Sequence, residues 1–392
     1  MVMKKIKILH FIPLFNTGGT EKVVFDIHNG LDPSRFESHI CSFFPGAYDR
    51  FFADKQNLRH VLVQNDSISA RTPREKFINM FSRLNQLRLV ISKTGVHLVH
   101  THHLGPLLHV WLMRKLTCRY LPWIHTEHNV PDLVKGYSSR VFQCVKPLSH
   151  PRYVTGVSPN VCAHLQNECG VSSDRIRLIV NGVDCVRFSL ANGREKIRTE
   201  LGLALDDEVV GCIGNLRQEK NQRLVIKAVS LLHRKRPRLK LIFCGDGDCR
   251  ADLERLAVSC GISKITYFLG HRFDIPQILS ALDLFCLPSY YEGMPLSILE
   301  AWAANKPVIA TDAIGIRELI VNGETGILLP PDQPHAMANA IDRMLSNPRE
   351  MLLMAANGRN IVAEKYSLQA MVAQYANLYE NLVRITSDRN NQ

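Results

Sequence analysis

Two glutamates, Glu292 and Glu300, stand eight residues apart in the stretch LFCLPSYYEGMPLSILEAWAANKPVIATD, which runs from Leu284 to Asp312. Paired carboxylates can do acid–base chemistry on a glycosidic bond, and productive pairs sit roughly 5–9.5 Å apart. A partly helical path of this length spans up to about 12 Å, so hydrolysis is disfavoured unless the loop shortens the gap. The surroundings suit a different use. A buried strand ends at Pro288, Glu292-Gly293-Met294 form a loop, and Pro295 stands at a first helical position. A helix opening just past a strand's carboxyl end offers free N–H groups and a positive dipole end, which suits a phosphate. Gly293 lets the backbone approach closely, and amides continue through Met294 to Leu296. Glu300, about one and a half turns into the helix, can bond a diol such as a ribose, and Glu292 can hold a second polar group.

Such groups need a rigid scaffold, and the chain supplies one. Short apolar runs alternate with longer amphipathic stretches, the mark of βα units on a parallel sheet. Strands are expected at Lys7–Pro13, His39–Phe44, Val96–His100, Trp123–His125, Tyr153–Val157 and Arg177–Val180. A second set is expected at Val209–Ile213, Lys240–Cys244, Thr266–Leu269, Leu284–Leu287, Val308–Ala310 and Gly326–Leu328. Helices lie between, for example Asn221–Arg234 and Asp248–Ser259. Two such sets imply an α/β chain of two doubly wound, Rossmann-like domains facing one another. The boundary falls after Asn181-Gly182-Val183-Asp184, giving residues 1–185 and 186–367, with the final helix from about Leu368 returning to the first domain.

The bulk properties agree. A chain of 392 residues exceeds what one core usually supports. Hydrophobic residues at 46% and charged residues at 21% are ordinary for a soluble globular protein. The eleven cysteines are scattered with no CxxC pair, so they read as thiols in a reducing compartment. The opening MVMKKIKILHFIPLF contains His10 and Pro13 and no small-residue cleavage site, so it reads as a first strand. With no apolar run of about 18 residues, a cytoplasmic protein is expected. Formal charge is +12 and lies mostly in the first half. That favours an anionic partner such as a membrane leaflet or phosphorylated acceptor, but no basic motif interleaved with aromatics supports a nucleic acid. Arg71, Arg74, Lys76, Arg83 and Arg88 fall along Phe77, Met80, Phe81, Leu84 and Leu87. This basic amphipathic stretch suits either a core-packed helix or peripheral docking on anionic lipid at the inner face of the cytoplasmic membrane.

The Glu292…Glu300 stretch resembles the E-x7-E signature of retaining GT-B glycosyltransferases, specifically the large family 4. The resemblance covers nearly the whole chain. Gly18-Gly19-Thr20-Glu21 is similar to that family's GGxE loop, and Asn181-Gly182-Val183-Asp184 to its NGVD motif. Gly214–Asn221 resembles its G-R-L-x-x-x-K-G segment, and Gly315–Pro330 its G-G-x-x-E-x-I-x-x-G-x-x-G-x-L-x-P run. There are departures. Asn215 stands where Arg is common, Asn221 where Gly is common, and Ile314-Gly315 where two glycines are usual.

The resemblance implies a nucleotide-sugar donor, uridine-based by family expectation, and a polysaccharide, lipopolysaccharide or lipid-linked oligosaccharide acceptor. It implies no metal and no bound cofactor. Arg217 and Lys220 match the family's diphosphate-binding pair, and with a helix end they can stabilise the leaving charge without a divalent ion. Gly18 and Gly19 would touch the donor phosphates or sugar. The base would lie against the loops of Gly245 and Arg272, although Gly245-x-Gly247 alone makes no dinucleotide fingerprint, since Arg250 takes the third glycine's place. Trp123–Asn129 resembles the family's apolar strand ending in H-D. That assigns His128 to the reacting centre, with His125 as the alternative. His97, His100, His102 and His103 read as packed or solvated rings, because no Cys or carboxylate accompanies them at ligand spacing. An inverting GT-B transferase or a sugar-nucleotide epimerase is the alternative activity.

Overall fold

The computed structural model describes residues 5–62, 73–117, 121–130 and 151–390. The chain divides into two compact units, Met1–Val180 with Gln369–Gln392, and Asn181–Leu368. The NGVD segment thus belongs to the second unit, a few residues ahead of the expected boundary.

In the first unit, β1 (Ile6–Leu14), β2 (Phe36–Phe44), β3 (Arg59–Val61), β4 (Leu98–His102), β5 (Trp123–Glu127), β6 (Tyr153–Gly156) and β7 (Ile176–Leu178) form a parallel sheet. Their order is β3-β2-β1-β4-β5-β6-β7. In the second unit, β8 (Glu208–Ile213), β9 (Leu239–Cys244), β10 (Thr266–Phe268), β11 (Leu284–Leu287), β12 (Val308–Thr311) and β13 (Ile327–Leu329) run in the order β10-β9-β8-β11-β12-β13. Both sheets are doubly wound. Their order reverses beside β1 and β4, and again beside β8 and β11. Crevices outside the carboxyl ends of strands at such reversals are where α/β sheets bind ligands.

Local sequence accounts for these elements. Ile8, Leu9, Phe11 and Ile12 of β1 are all fully buried, as expected of a parallel strand covered on both faces. Helix Arg223–Leu232 buries Leu224, Val225, Ile226, Ala228, Val229 and Leu232 along one stripe and leaves Lys227 outside. Two expectations need correction. The edge strand β3, of mixed polarity, carries no apolar run to announce it. β4 begins two residues later than the apolar run does, because Ile8 pairs with Leu98; the shift draws His102 into the sheet.

Helix Pro73–Thr94 covers the basic amphipathic stretch. Arg71, and the side chains of Arg74, Lys76 and Phe77, lie outside the described residues. Further along, Leu84, Leu87 and Ile91 are buried, and Arg83 stacks on Phe43 and Phe44 at 5.0 and 5.2 Å. That side of the helix is committed to its own domain. Among the described residues no helix is long and apolar enough to cross a membrane.

Candidate active site

In the second unit, the loops after β8 and β11 meet at the sheet reversal. Lys220 Nζ donates to both carboxylate oxygens of Glu292, at 2.6 and 2.7 Å, and Ser289 Oγ donates to Glu292 Oε1 at 2.7 Å. The two loops also join through the backbone, Tyr290 N–H donating to Glu219 O at 2.9 Å. Arg217 is exposed just ahead of this turn. The expected helix at Asn221 does not form directly. A single 3-10 turn spans Gln218–Lys220, Asn221 takes the left-handed conformation (φ 49°), and the helix starts at Arg223. The family's glycine and this chain's asparagine answer the same need, since Asn tolerates that conformation better than most residues.

Pro295 is not the first helical residue. It is the N-cap, extended, and the helix runs Leu296–Ala303. The segment ahead of it is fixed by Asn181, whose N–H donates to Met294 Sδ (3.2 Å) and whose Nδ2 donates to Met294 O (3.1 Å). Gly315 (φ 81°) packs beneath the loop, where a Cβ would stand 2.0 Å from Glu292 O, while Ile314 O accepts the Glu292 N–H at 2.9 Å. The second glycine of the family's pair is thus the one whose missing side chain matters here.

Gly245 and Gly247 have a packing reason. Their Cβ atoms would lie 2.1 Å from Gly214 O and 2.5 Å from Leu216 O, so the β8 and β9 loops touch backbone to backbone. The Gly245 N–H bonds Gly270 O at 2.9 Å. Arg272, in the next loop, is already ion-paired to Asp274 and Glu200. Glu300 is buried inside its helix. Burial, with Asp274 and Glu300 adding and Arg272 opposing, pushes the Cys244 thiol up to about 12.

In the first unit, Gly18 caps a helix that starts at Gly19, and the Glu21 carboxylate folds back over Gly18. His128 lies past β5 and is buried. Glu127 Oε1 accepts its backbone N–H at 3.1 Å, and its Nε2 meets His102 Nδ1 at 3.0 Å. His102 Nε2 meets His10 Nδ1 at 3.4 Å, and His10 Nε2 is buried with no hydrogen-bond partner among the described residues. His125 bonds Thr101 Oγ1 at 3.0 Å instead. By sequence His10 belongs to the first strand and His102 is a packed or solvated ring, and sequence does not say which ring nitrogen meets which. The only signal was period-two spacing of His100 and His102, which puts both on one face of a strand.

His10, His100 and His102 bring nitrogens within 4.8 Å of one another, a separation that a metal ion could use. Both His100 nitrogens are held by hydroxyls, however, Tyr379 at 2.7 Å and Thr126 at 2.6 Å. What remains is a hydrogen-bonded chain from His128 to His10. A neutral ring has one N–H, so the chain donates in one direction throughout.

Burial holds His10 down to about 3, with His28 adding to it. Burial, and then neighbouring histidines, hold His100, His102 and His128 well below the ordinary value of 6.5. The folded chain therefore binds fewer protons than the unfolded chain below pH 6.5, and stability falls as pH falls. Each such ring contributes about 1.4 kcal/mol per pH unit between its two values. The melting temperature should accordingly drop steeply from pH 7 to pH 5, and a flat profile would refute neutral burial of these rings.

Each half of the chain matches a family of known proteins. Residues 17–187 match the model of Glycosyltransferase Family 4 and residues 193–361 that of Glycosyl transferases group 1. The D-inositol 3-phosphate glycosyltransferase of Corynebacterium glutamicum (strain R) is 30% identical over 312 residues, 74% of this chain and 73% of that protein. The alpha-D-kanosaminyltransferase of Streptomyces kanamyceticus is 36% identical over 192 residues, but the match spans only 49% of it, about half its length. Among solved structures, Anabaena HepE in complex with UDP and glucose has a TM-score of 0.81 at 22% identity, covering 96% of this chain and 99% of that one.

Proposed function

The chain belongs to the group 1 glycosyltransferases, with the two Rossmann-like domains of GT-B, and from that premise we propose that it transfers a sugar from a UDP-sugar to a glycan acceptor, releasing UDP. The acceptor class is a growing polysaccharide, lipopolysaccharide or lipid-linked oligosaccharide, and the anomeric configuration is retained. The observation that carries this reading is the Lys220–Glu292 pair at the sheet reversal, beside a helix end.

Loss of a nucleoside diphosphate builds negative charge on phosphate oxygens. Lys220, held by Glu292, and the amides after Gly293 supply positive potential with no reorganisation at the moment of reaction, and the exposed Arg217 adds to it. Glu300 holds the ribose diol and Glu292 the sugar hydroxyls, while keeping Lys220 aimed. Gly245 and Arg272 border the base; the family resemblance assigns Gly18 and Gly19 to the donor phosphates or sugar and His128 to the reacting centre. Retention then proceeds by front-face displacement assisted by the leaving phosphate, and these cations make a divalent ion unnecessary.

Calorimetric titration with UDP and a panel of UDP-sugars, followed by NMR of the anomeric proton of the product, tests the proposal. UDP binding that persists in a chelator and an α-linked product from an α-donor are expected. An inverted product would leave the inverting alternative standing, and no binding of any nucleoside diphosphate would sink the donor site.

A further inference from the structure

Only four non-glycine residues among those described have positive φ: His103, Asn221, Asn305 and Asp332. Two of them, Asn221 (φ 49°) and Asp332 (φ 56°), are bonded to each other. Asn221 Nδ2 donates to Asp332 Oδ1 at 3.3 Å, and Tyr290 OH donates to the same oxygen at 2.7 Å. Asn221 follows Lys220 directly, and Tyr290 precedes Glu292 by two residues. The contacts therefore close a ring: Lys220 to Asn221, across to Asp332, across to Tyr290, along to Glu292 and back to Lys220. Left-handed backbone at non-glycine positions costs energy and persists where surrounding structure over-determines it. Here the side chains of both such residues serve the bond that joins them.

We propose that Asp332 is a positioning residue for the donor site. Its carboxylate, on the loop after β13, gathers the Lys220 turn and the Glu292 loop so that cation and carboxylate keep their geometry when a diphosphate binds. The proposal rests on the donor-site reading above. It adds a third loop to that site and a group that touches neither donor nor reacting atoms.

Charge supplies a test whose sign decides. By charge alone, removing a carboxylate near an anionic ligand tightens binding. Losing a positioning group loosens it. Asp332→Gly and Asn221→Gly both keep the left-handed backbone permitted while deleting the side chain, and Tyr290→Phe removes only the hydroxyl. UDP affinity by calorimetry and kcat with a UDP-sugar should each fall about five- to tenfold in Asp332→Gly, with melting temperature little changed. The double variant Asn221→Gly/Asp332→Gly should fall no further than Asp332→Gly alone. Asp332→Asn, which keeps an acceptor oxygen and tolerates the backbone, should bind UDP as the parent does or more tightly. Unchanged or tighter UDP binding in Asp332→Gly, with normal kcat, overturns the positioning role. Lys220→Ala is the companion arm: if it too binds UDP as the parent does, the donor-site reading is what has failed.

Discussion

Lys220→Ala is expected to lower kcat for sugar transfer by about 10²–10³-fold, the range seen when one pre-organised charge-stabilising group is removed. The reason lies in its setting. Lys220 stands on a turn that Asn221 ends abruptly, and its ammonium is clamped by both oxygens of Glu292. A cation held in this way needs no rearrangement as charge grows on a leaving diphosphate. The substitution also has an asymmetric structural cost. The Glu292 side chain is only 8% exposed while that of Lys220 is 24% exposed, so truncating the lysine strands a buried carboxylate with Ser289 as its remaining side-chain donor. That costs on the order of 1–3 kcal/mol. Glu292→Gln leaves a lysine that water can still reach, and it should melt closer to the parent. Steady-state rates with a UDP-sugar and melting curves of both variants decide this. A Lys220→Ala enzyme within tenfold of the parent would remove Lys220 from the chemistry.

Gly315→Ala should be nearly as damaging, through backbone alone. At φ 81° an added Cβ lies 2.0 Å from Glu292 O and 2.5 Å from Glu292 C. The Glu292 loop must move, and with it the Glu292 N–H bond to Ile314 O. The expected loss is about 3 kcal/mol or more of stability, with transfer down by about 100-fold through the displaced carboxylate. Gly323→Ala is the control. Its φ is 82°, yet nothing lies within 4 Å of the added Cβ, so only the left-handed strain of about 1–2 kcal/mol is incurred. Equal behaviour of the two variants would show that strain at φ, rather than the clash with Glu292, is what matters at Gly315.

Much of the fold was legible because buried parallel strands are continuous apolar runs, and the sheet of the second unit follows them closely. The strands that were missed or displaced are those whose pairing partner, rather than composition, sets their extent: β3 at an edge, and β4 drawn two residues onward by β1. Motif departures were legible as oddities but not as solutions. Asn221 reads as a lost glycine, yet its positive φ of 49° is one that glycine adopts freely and asparagine tolerates. Gly245 and Gly247 make no dinucleotide fingerprint, and the reason for both glycines, two loops touching backbone to backbone, shows only in the fold. The ring through Asp332 left no trace in the sequence, since its members are about 40 to 110 residues apart and only folding makes them neighbours. His102 was invisible for a related reason: spacing gives a face of a strand, not the nitrogen that meets His128.

The path of the chain between its two units has a consequence for biosynthesis. Residues 181–368 are continuous, while the first unit takes back residues 369–392. Tyr379 and Tyr375, from that returning helix, supply hydroxyls to His100 and Thr126. Chains normally complete their domains in the order of synthesis. Here a ribosome that has added residue 368 has delivered every residue of the second unit, while the first unit, begun earlier, still lacks the two tyrosines that close its histidine-lined core. The half of the molecule that is started first is finished last.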